Sequence, residues 1–182
     1  YGVVACLIFG VTSLSYRHLT VGLWPSSWAV AAIQFLVFII YYNFYGYFSH
    51  RLLHTKYFRK FHAVHHESVR VTPWSGYNVH PLEALIMAGT LPLFMGFVPI
   101  GVGSAFVVHA LGMMFTTCIH CNYDLVPTLS KTHWFRQLVN DPAFHRLHHT
   151  KGRVNYGFTI SLMDRIFKTY DADMFDDLDL KK

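Results

Sequence analysis

No Asp, Glu, Lys or Arg lies between Arg17 and Arg51, and this stretch constrains the fold more than any other feature of the sequence. Its apolar part, from about Ala29 to Ser49, is long enough as an α-helix to cross a bilayer core of about 30 Å. Charged residues make up only 14% of the chain, whereas an ordinary soluble domain carries about a quarter. We therefore expect an integral membrane protein.

Two further apolar stretches extend this prediction. The uncharged segment from Ala84 to Tyr123 is about twice as long as one span requires, and Pro92 and Pro99 interrupt it. Such a pattern predicts a helical hairpin. The opening run from Tyr1 to Tyr16 is apolar but short, so we expect a truncated span, a re-entrant helix or a half-span there. Together the stretches predict an all-α membrane bundle of about four transmembrane helices.

The length of 182 residues fits one domain, and no linker or internal repeat interrupts it. We expect a single membrane domain over residues 1–182. The chain opens at Tyr1, without an initiator Met and without a basic stretch ahead of its apolar run, so it does not resemble a signal peptide. We expect the sequence to begin inside a longer protein.

The net charge of +5 could suggest a nucleic-acid partner. However, the basic residues are scattered among apolar segments and do not form one polar face, so contact with a membrane surface is the better interpretation and no nucleic acid is expected. The three cysteines form no even disulfide framework. Cys118 and Cys121 spell C-x-x-C, but no strand-helix pattern adjoins them, which favours helix packing over a redox role.

The Lys and Arg residues orient the predicted spans, because short cytoplasmic loops carry an excess of both. Five of them lie between Arg51 and Arg70, and nine lie from Lys131 onward. The hairpin turn near Pro99 has none. We therefore expect both basic segments to form a cytoplasmic cap, with the turn on the opposite side of the membrane.

Histidines are concentrated in the same two basic segments. Eight of the thirteen fall into three clusters, HRLLH, HAVHH and HRLHH. The clusters contain His50, His54, His62, His65, His66, His145, His148 and His149. Residues three and four apart share one face of a helix, so each cluster is expected to project its imidazoles toward one point. Imidazole nitrogen suits iron, zinc, copper or nickel.

Crowded neutral imidazoles at a membrane edge would leave unpaired polar nitrogens, and protonating them would create repulsion, unless a cation bridges them. Eight ligands exceed the four of a tetrahedral zinc, which favours two metals with open positions. The Glu-x-x-His pairs of carboxylate-bridged bundles do not occur. H-E-x-x-H is absent too, so a zinc peptidase would lack its general base.

These motifs, in this order around apolar helices, resemble the fatty acid hydroxylase and sterol desaturase superfamily. The resemblance extends to three other segments and covers about residues 45–171. TPWSGYNVHPLE (72–83) looks like the loop after the second box in sterol-type members, IHCNYD (119–124) like the third conserved region, and NYGFTISLMDRIFKTY (155–170) like the closing stretch.

The resemblance implies a membrane oxidoreductase with two non-haem irons that uses O2 and two electrons to attack an unactivated C–H bond of a lipid. The electrons would come from NAD(P)H through cytochrome b5 or a similar electron-transfer protein. The expected location is the endoplasmic reticulum in a eukaryote or the inner membrane in a bacterium, with the metal site on the cytoplasmic side. The eight clustered histidines map onto the family's ligand positions, and His120 maps onto a further ligand.

One departure from the family concerns the third region, where fatty acid 2-hydroxylase members carry two histidines. Here His120 is followed by Asp124. This difference disfavours the fatty acid 2-hydroxylase branch, and His80 within HPLE favours the sterol-type branch. Asp124 would either ligate a metal or orient a ligand.

Three other polar residues have open roles. His80 could ligate a metal, bond a ligand from behind or pack the loop, and the last two together are favoured. Asn155 is a similar case. Asp164 would either pair with Arg165 or fix a box histidine.

Several assignments stay open at this point. His109 lies in the middle of a predicted span and would be functional or packed into the bundle, whereas His18 and His133 are expected at the interface. The aromatic run from Tyr41 to Phe48 would line a substrate cavity or form an interfacial belt. The acidic tail from Asp171 is expected to be solvated.

Two rival functions remain. A membrane metal-binding or transport protein would continue its histidines along a path through the spans, and a zinc-dependent lipid hydrolase would need a placed acid or base that the sequence does not show. The sequence does not distinguish hydroxylation from desaturation. A sterol is favoured as substrate over a fatty acyl chain, a sphingolipid and a carotenoid.

Overall fold

The computed structural model describes residues 22–123 and 133–173, together with Gly10. The described part is helical, and apart from an isolated bridge between Val139 and Ile160 it contains no β-structure. Its α-helices are α1 (Trp28–Leu53), α2 (Arg59–His66), α3 (Pro81–Ala88), α4 (Thr90–Met95), α5 (Val102–Ile119), α6 (Trp134–Leu138), α7 (Pro142–Lys151) and α8 (Leu162–Ile166). A short 3-10 turn covers Ser75–Tyr77. The predicted all-α class is confirmed for these residues.

Helix α1 contains the predicted first span. It begins after Ser27, whose hydroxyl oxygen accepts a hydrogen bond from Val30 N at 3.3 Å, as is typical of a helix N-cap. Its 26 residues extend about 39 Å at 1.5 Å per residue. Only 17% of its most apolar window is buried, which is unlike the core helix of a soluble protein. Helices α1 and α5 are both long and apolar enough to cross a membrane.

The predicted hairpin is confirmed, with an unequal pair of arms. Its first arm is divided into the short helices α3 and α4, and its second arm is the continuous helix α5. The arms pack through buried apolar side chains, Leu91, Phe94, Met95, Ile100, Ala105 and Val108. Of the four expected spans, α1 and α5 are long and apolar enough to cross a membrane, α3 and α4 form a shorter and divided apolar arm, and the opening run apart from Gly10 lies outside the described residues.

The hairpin turn lies at the end of the bundle opposite the histidines. Gln34, near the start of α1, donates a hydrogen bond from Nε2 to the Pro99 carbonyl oxygen at 2.9 Å. His50 lies sixteen residues further along the same helix, which corresponds to about 24 Å. The histidines are therefore separated from the turn by most of the length of α1.

Local sequence signals set the bounds of α7, which carries the last histidine cluster. Asp141 caps its first turn by accepting a hydrogen bond from Phe144 N at 3.0 Å, and Pro142 occupies the first helical turn. Gly152 ends the helix in the left-handed conformation, at φ 69°. These signals fix which residues of the cluster face the interior.

A close approach between Gly46 and Phe158 brings the segment after α7 against α1. A Cβ atom at Gly46 would lie 2.9 Å from Phe158 Cδ2, so only glycine leaves room for this ring. Phe158 in turn stacks on the imidazole of His50, with ring centroids 4.8 Å apart and planes 12° apart. The contact places the loop after α7 directly beside the histidines of α1.

Candidate metal centre

The structure gathers nine histidines into two adjacent groups, in each of which the candidate ligand atoms lie within 4.8 Å of one another. The five-histidine group consists of His50, His54, His62, His66 and His148. The four-histidine group consists of His65, His120, His145 and His149. These are the nine residues that the sequence predicts as ligands, and all nine side chains converge at the same end of the bundle.

The five-histidine group is built from α1, α2 and α7. Its Nε2 atoms approach one another closely: His50 to His62 at 3.2 Å, and His66 to His62 and to His148 at 3.1 Å each. His54, the residue that follows the last turn of α1, completes the group, with its Nε2 atom 3.0 Å from that of His148. Five ring nitrogens therefore surround one small volume.

The four-histidine group is built from α2, α5 and α7. His120 follows the last turn of α5, and its Nε2 atom lies 3.3 Å from that of His65 and 3.0 Å from that of His145. His149 Nε2 lies 3.1 Å from His145 Nε2. All four residues are buried, which removes water as an alternative partner for these nitrogens.

The expectation that each sequence cluster points at a single position is wrong for α2 and α7. In α2, His62 and His66 belong to the five-histidine group, while His65 belongs to the four-histidine group. The physical reason is helical geometry: residues four apart share a face, whereas the adjacent residues His65 and His66 are rotated by about 100°. Helix α7 divides in the same way, and each of these helices therefore contributes to both groups.

The hydrogen bonds at Nδ1 show that the Nε2 atoms carry free lone pairs. His50 Nδ1 lies 2.8 Å from the Tyr156 carbonyl oxygen, and His120 Nδ1 lies 2.7 Å from that of Thr116. Because a carbonyl oxygen only accepts, each of these imidazoles carries its proton on Nδ1 when neutral, an assignment made from the hydrogen-bond partners. The Nε2 atom of each ring then faces the group as an acceptor or ligand.

These lone pairs indicate whether a metal ion would fit between the rings. His62 Nδ1 lies 2.8 Å from the Glu83 carboxylate, which favours a proton on that nitrogen. The Nε2 lone pairs of His50 and His62 then face each other at 3.2 Å. Two such lone pairs repel each other unless both bind a cation. The residues present therefore fit a metal ion in this group.

Burial keeps the imidazoles in the neutral form that binds metal. It lowers the pKa of His54 and of His65 to about 3 and that of His120 to about 4, and neighbouring imidazoles add to the effect. The pKa values of His145 and His148 lie well below the ordinary value for the same reasons, burial first. Protons therefore compete little with a metal ion for these imidazoles near neutral pH.

Comparison with known proteins places all nine histidines within one protein family. The fatty acid hydroxylase family model matches residues 35–169, a range that contains all nine histidines. The chain belongs to the fatty acid hydroxylase family. No solved structure matches the chain.

Curated relatives of this fatty acid hydroxylase family member act on sterols and on long-chain aldehydes, according to their names. A Delta(7)-sterol 5(6)-desaturase of Gibberella zeae is 26% identical and aligns with 81% of this chain and 44% of its own length. One from Aspergillus fumigatus is 25% identical, with 88% and 54% aligned. A very-long-chain aldehyde decarbonylase of Oryza sativa subsp. indica is 33% identical, with 72% and 22% aligned. The chain thus spans about half or less of the length of these relatives.

Glu83 is a site residue that the sequence analysis missed. It lies in the first turn of α3, it is 3% exposed, and its Oε1 atom lies 2.8 Å from His62 Nδ1. Burial raises the pKa of this carboxyl to about 8, and a cation on His62 would favour the carboxylate. Carboxylates that hold a metal-binding histidine from behind fix its orientation and raise its basicity. The signal available was its place in the family-like segment 72–83.

The other polar residues singled out in the sequence lie at different places. His80 belongs to neither group, because its Nδ1 accepts a hydrogen bond from Leu82 N at 3.1 Å and so caps α3. His133 caps α6 in the same way. Asp124 and His18 lie outside the described residues. Cys118 and Cys121 are free thiols.

Asp164 and Asn155 lie directly behind the five-histidine group. Asp164 is fully buried and accepts hydrogen bonds from the backbone of Tyr156 and Gly157. Asp164 thus holds the backbone at Tyr156, whose carbonyl oxygen lies 2.8 Å from His50 Nδ1. Arg165 points elsewhere, donating to the Gln137 carbonyl oxygen and to Ser161.

A cavity connects both histidine groups with the interior of the bundle between α1, α3, α4 and α5. Its inner end is formed by His50, His62, His65 and His120, and its walls are mostly apolar, with Phe38, Leu91, Val108 and Met113 among them. His109, half-way along α5, lines the same cavity. Of the aromatic run, Tyr42 lines the cavity, whereas Phe44 and Phe48 face outward.

Proposed function

We propose that the chain is the catalytic part of a membrane-bound di-iron oxidoreductase that hydroxylates or desaturates a lipid, with a sterol-type lipid favoured. The observation that carries the proposal is the cavity, because its apolar walls end on histidines of both groups. A lipid lying in that cavity would present a carbon atom to both metal positions. Membership of a lipid-modifying family supports the same conclusion.

The ligand set favours iron over zinc. Five histidines in one group exceed the four positions of a tetrahedral zinc, and four in the other leave two positions open on an octahedral metal. The family is one of non-haem iron enzymes. Iron bound by these groups would supply the activation of O2, while the chain would hold the metals, exclude water and place the lipid.

The proposed reaction balances with an external source of two electrons. In hydroxylation, a C–H bond, O2, two electrons and two protons give a C–OH group and one water. In desaturation, two hydrogen atoms leave adjacent carbons, and O2, two electrons and two protons give two waters. We propose NAD(P)H as the electron source and cytochrome b5 or a similar protein as the carrier, which would dock on the basic segments around the centre.

The relatives support a substrate class, and the charge distribution supports a location. The sterol desaturases among the relatives favour a sterol, and a lipid of that kind would enter the cavity sideways from the bilayer. We propose about four spans, with the histidine groups on the cytoplasmic side of the endoplasmic reticulum in a eukaryote or of the inner membrane in a bacterium. The Lys and Arg distribution supports this orientation.

A membrane metal-binding or transport protein is the alternative. A transport path would need metal-binding side chains that continue from the centre through the spans. In the described part of the spans, His109 is the histidine that lies away from both groups, and it lines an otherwise mostly apolar cavity. This distribution supports the oxidative function.

Lipid extracts of cells that produce the protein under ¹⁸O₂ would test the proposal. With the unmodified chain, we expect one lipid to gain labelled oxygen, which indicates hydroxylation, or to lose two hydrogens without label, which indicates desaturation. His148→Ala should abolish either change, because it removes a ligand. His133→Ala is the matched control, since His133 caps α6 away from both groups. Product formation by His148→Ala at the level of the control would contradict the proposal.

A further inference from the structure

Two carbonyl groups of one short loop hold two histidines of the five-histidine group. The Val154 carbonyl oxygen lies 2.6 Å from His148 Nδ1, and the Tyr156 carbonyl oxygen lies 2.8 Å from His50 Nδ1. His50 belongs to α1 and His148 to α7, so the loop connects ligand positions that are far apart in the sequence. Asn155 lies between the two carbonyls.

The backbone of Asn155 adopts the left-handed conformation, with φ 57°. Residues other than glycine are uncommon there, and asparagine is among those that tolerate it best. Backbone rotation at residues 155 and 156 sets the angle between the carbonyls of residues 154 and 156. The conformation of Asn155 therefore helps to determine where both acceptors point.

The side chain of Asn155 fixes this conformation from inside the protein. It is fully buried, and its Oδ1 atom accepts a hydrogen bond from Asp171 N at 2.8 Å, while Nδ2 donates to the Asp171 carbonyl oxygen at 3.2 Å. The Asn155 N–H donates to the Thr169 carbonyl oxygen at 2.8 Å. Three hydrogen bonds thus tie this one residue to the segment after α8.

Asp164 supports the other side of the loop. Its Oδ1 accepts hydrogen bonds from Tyr156 N and from the Thr169 hydroxyl, each at 2.8 Å, and its Oδ2 accepts one from Gly157 N at 2.7 Å. Hydrogen bonds from backbone N–H groups to a carboxylate are charge-assisted and short. Asn155 and Asp164 together hold the residues on either side of the Tyr156 carbonyl.

We propose that Asn155 is a positioning residue for the five-histidine group alone. The inference rests on the proposed metal centre and adds to it that the 154–156 loop supports the histidines of one group and not those of the other. In the four-histidine group, the ring of His120 is bonded to the Thr116 carbonyl in α5 and not to the 154–156 loop. Loss of the Asn155 side chain should therefore weaken one metal and spare the other.

The test measures iron affinity in two backgrounds. His149→Ala leaves the five-histidine group complete, and His54→Ala leaves the four-histidine group complete. Each chain, in detergent, would be equilibrated without oxygen with iron(II) and a graded series of chelator, and bound iron would be counted by mass spectrometry. Adding Asn155→Ala should lower affinity about ten- to a hundredfold in the His149→Ala background, the usual effect of losing an outer partner of a ligand. It should leave affinity unchanged in the His54→Ala background.

Two further variants separate positioning from general damage. Asn155→Gly keeps the left-handed backbone accessible but removes the bonds to Asp171, so its effect should lie between those of wild type and Asn155→Ala. Asn122→Ala, which removes one exposed hydrogen bond to Arg146, should leave both affinities unchanged.

Three outcomes would overturn the inference. Equal losses of iron in both backgrounds would mean that Asn155 supports the whole fold, and unchanged affinity in both would mean that the loop does not position the histidines. If Asn155→Ala lowered iron affinity in the His149→Ala background but Asn155→Gly bound iron as tightly as the chain with Asn155, backbone strain alone would explain the loss, and the hydrogen bonds to Asp171 would play no part. Failure of the unmodified chain to bind iron would instead overturn the metal centre, and with it the inference.

Discussion

The five-histidine and four-histidine groups draw on the same helices, α2 and α7, yet the protein holds them by different means. In the five-histidine group, the Nδ1 atoms of His50, His62 and His148 each lie within 2.8 Å of a carbonyl or carboxylate oxygen. In the four-histidine group, His120 Nδ1 lies 2.7 Å from the Thr116 carbonyl oxygen, whereas the Nδ1 atoms of His145 and His149 are buried without a hydrogen-bond partner.

Close packing also orients the four-histidine group. Gly76 lies so close to the ring of His120 that a Cβ atom there would be 2.9 Å from its Nδ1. The comparison shows that oxygen acceptors orient several histidines of the five-histidine group, whereas the four-histidine group combines the His120 hydrogen bond with close contact. Since hydrogen-bonded imidazoles are better ligands, we expect the five-histidine group to bind its metal more tightly.

The largest expected effects come from removing one ligand of each group. His148→Ala and His149→Ala should each reduce product formation by more than about a hundredfold, the upper range for losing only an outer partner. Each should also lose the metal of its own group first. Bound iron and labelled product, measured on the same preparations, check this. Loss of both metals from both variants would show that the groups are not separable.

Gly76→Ala tests the role of packing in the four-histidine group. Its Cβ would meet His120 Nδ1 at 2.9 Å and Thr116 Cγ2 at 3.0 Å, so the His120 ring must move. We expect iron affinity to fall about tenfold or more in the four-histidine group, with little change in the other. Gly112→Ala is the matched control, because a Cβ there meets nothing within 4 Å. Equal behaviour of the two alanine variants would contradict the packing argument.

Glu83→Gln tests the carboxylate contact behind His62 in the five-histidine group. The substitution keeps the size of the side chain but removes the charge beside His62 Nδ1, so this imidazole becomes a weaker ligand. Iron affinity of the five-histidine group should fall about ten- to a hundredfold. An iron(II) titration in the His149→Ala background measures it. Unchanged affinity would show that Glu83 contributes only packing.

Gly112→Leu should have the smallest effect on either metal. Gly112 lines the cavity and has open space beside its Cα atom, so a leucine would occupy the volume proposed for the lipid. We expect iron content to stay at the wild-type level while turnover of the natural lipid falls by about tenfold or more. Iron content and lipid product, measured on the same preparations, check both expectations. Unimpaired turnover would place the substrate elsewhere.

Much of the fold could be predicted because it depends on local patterns. The apolar stretch from Ala29 to Ser49 lies within α1, and the prolines of the second stretch mark a real hairpin. The division of the first hairpin arm at Gly89 was not predicted. Composition alone does not distinguish one long helix from two short ones, and tertiary contacts decide between them.

The centre could be predicted as a set of residues but not as two groups. The spacing within each box indicates which histidines share a face, yet the assignment of His65 and His66 to different groups depends on how α2 lies between α1 and α7. Glu83 was missed because its contact with His62 crosses twenty-one positions of sequence. The carbonyls of Val154 and Tyr156 carry no side-chain signature at all, so only the fold reveals their role.

The most direct test of the central claim is to count metal in the purified, unmodified chain after anaerobic incubation with iron(II), and then to expose it to O2 with a chemical reductant and a sterol. We predict two irons per chain and a sterol product that depends on both. One iron per chain, or full occupancy by two irons with no oxidation of any lipid offered, would contradict the account.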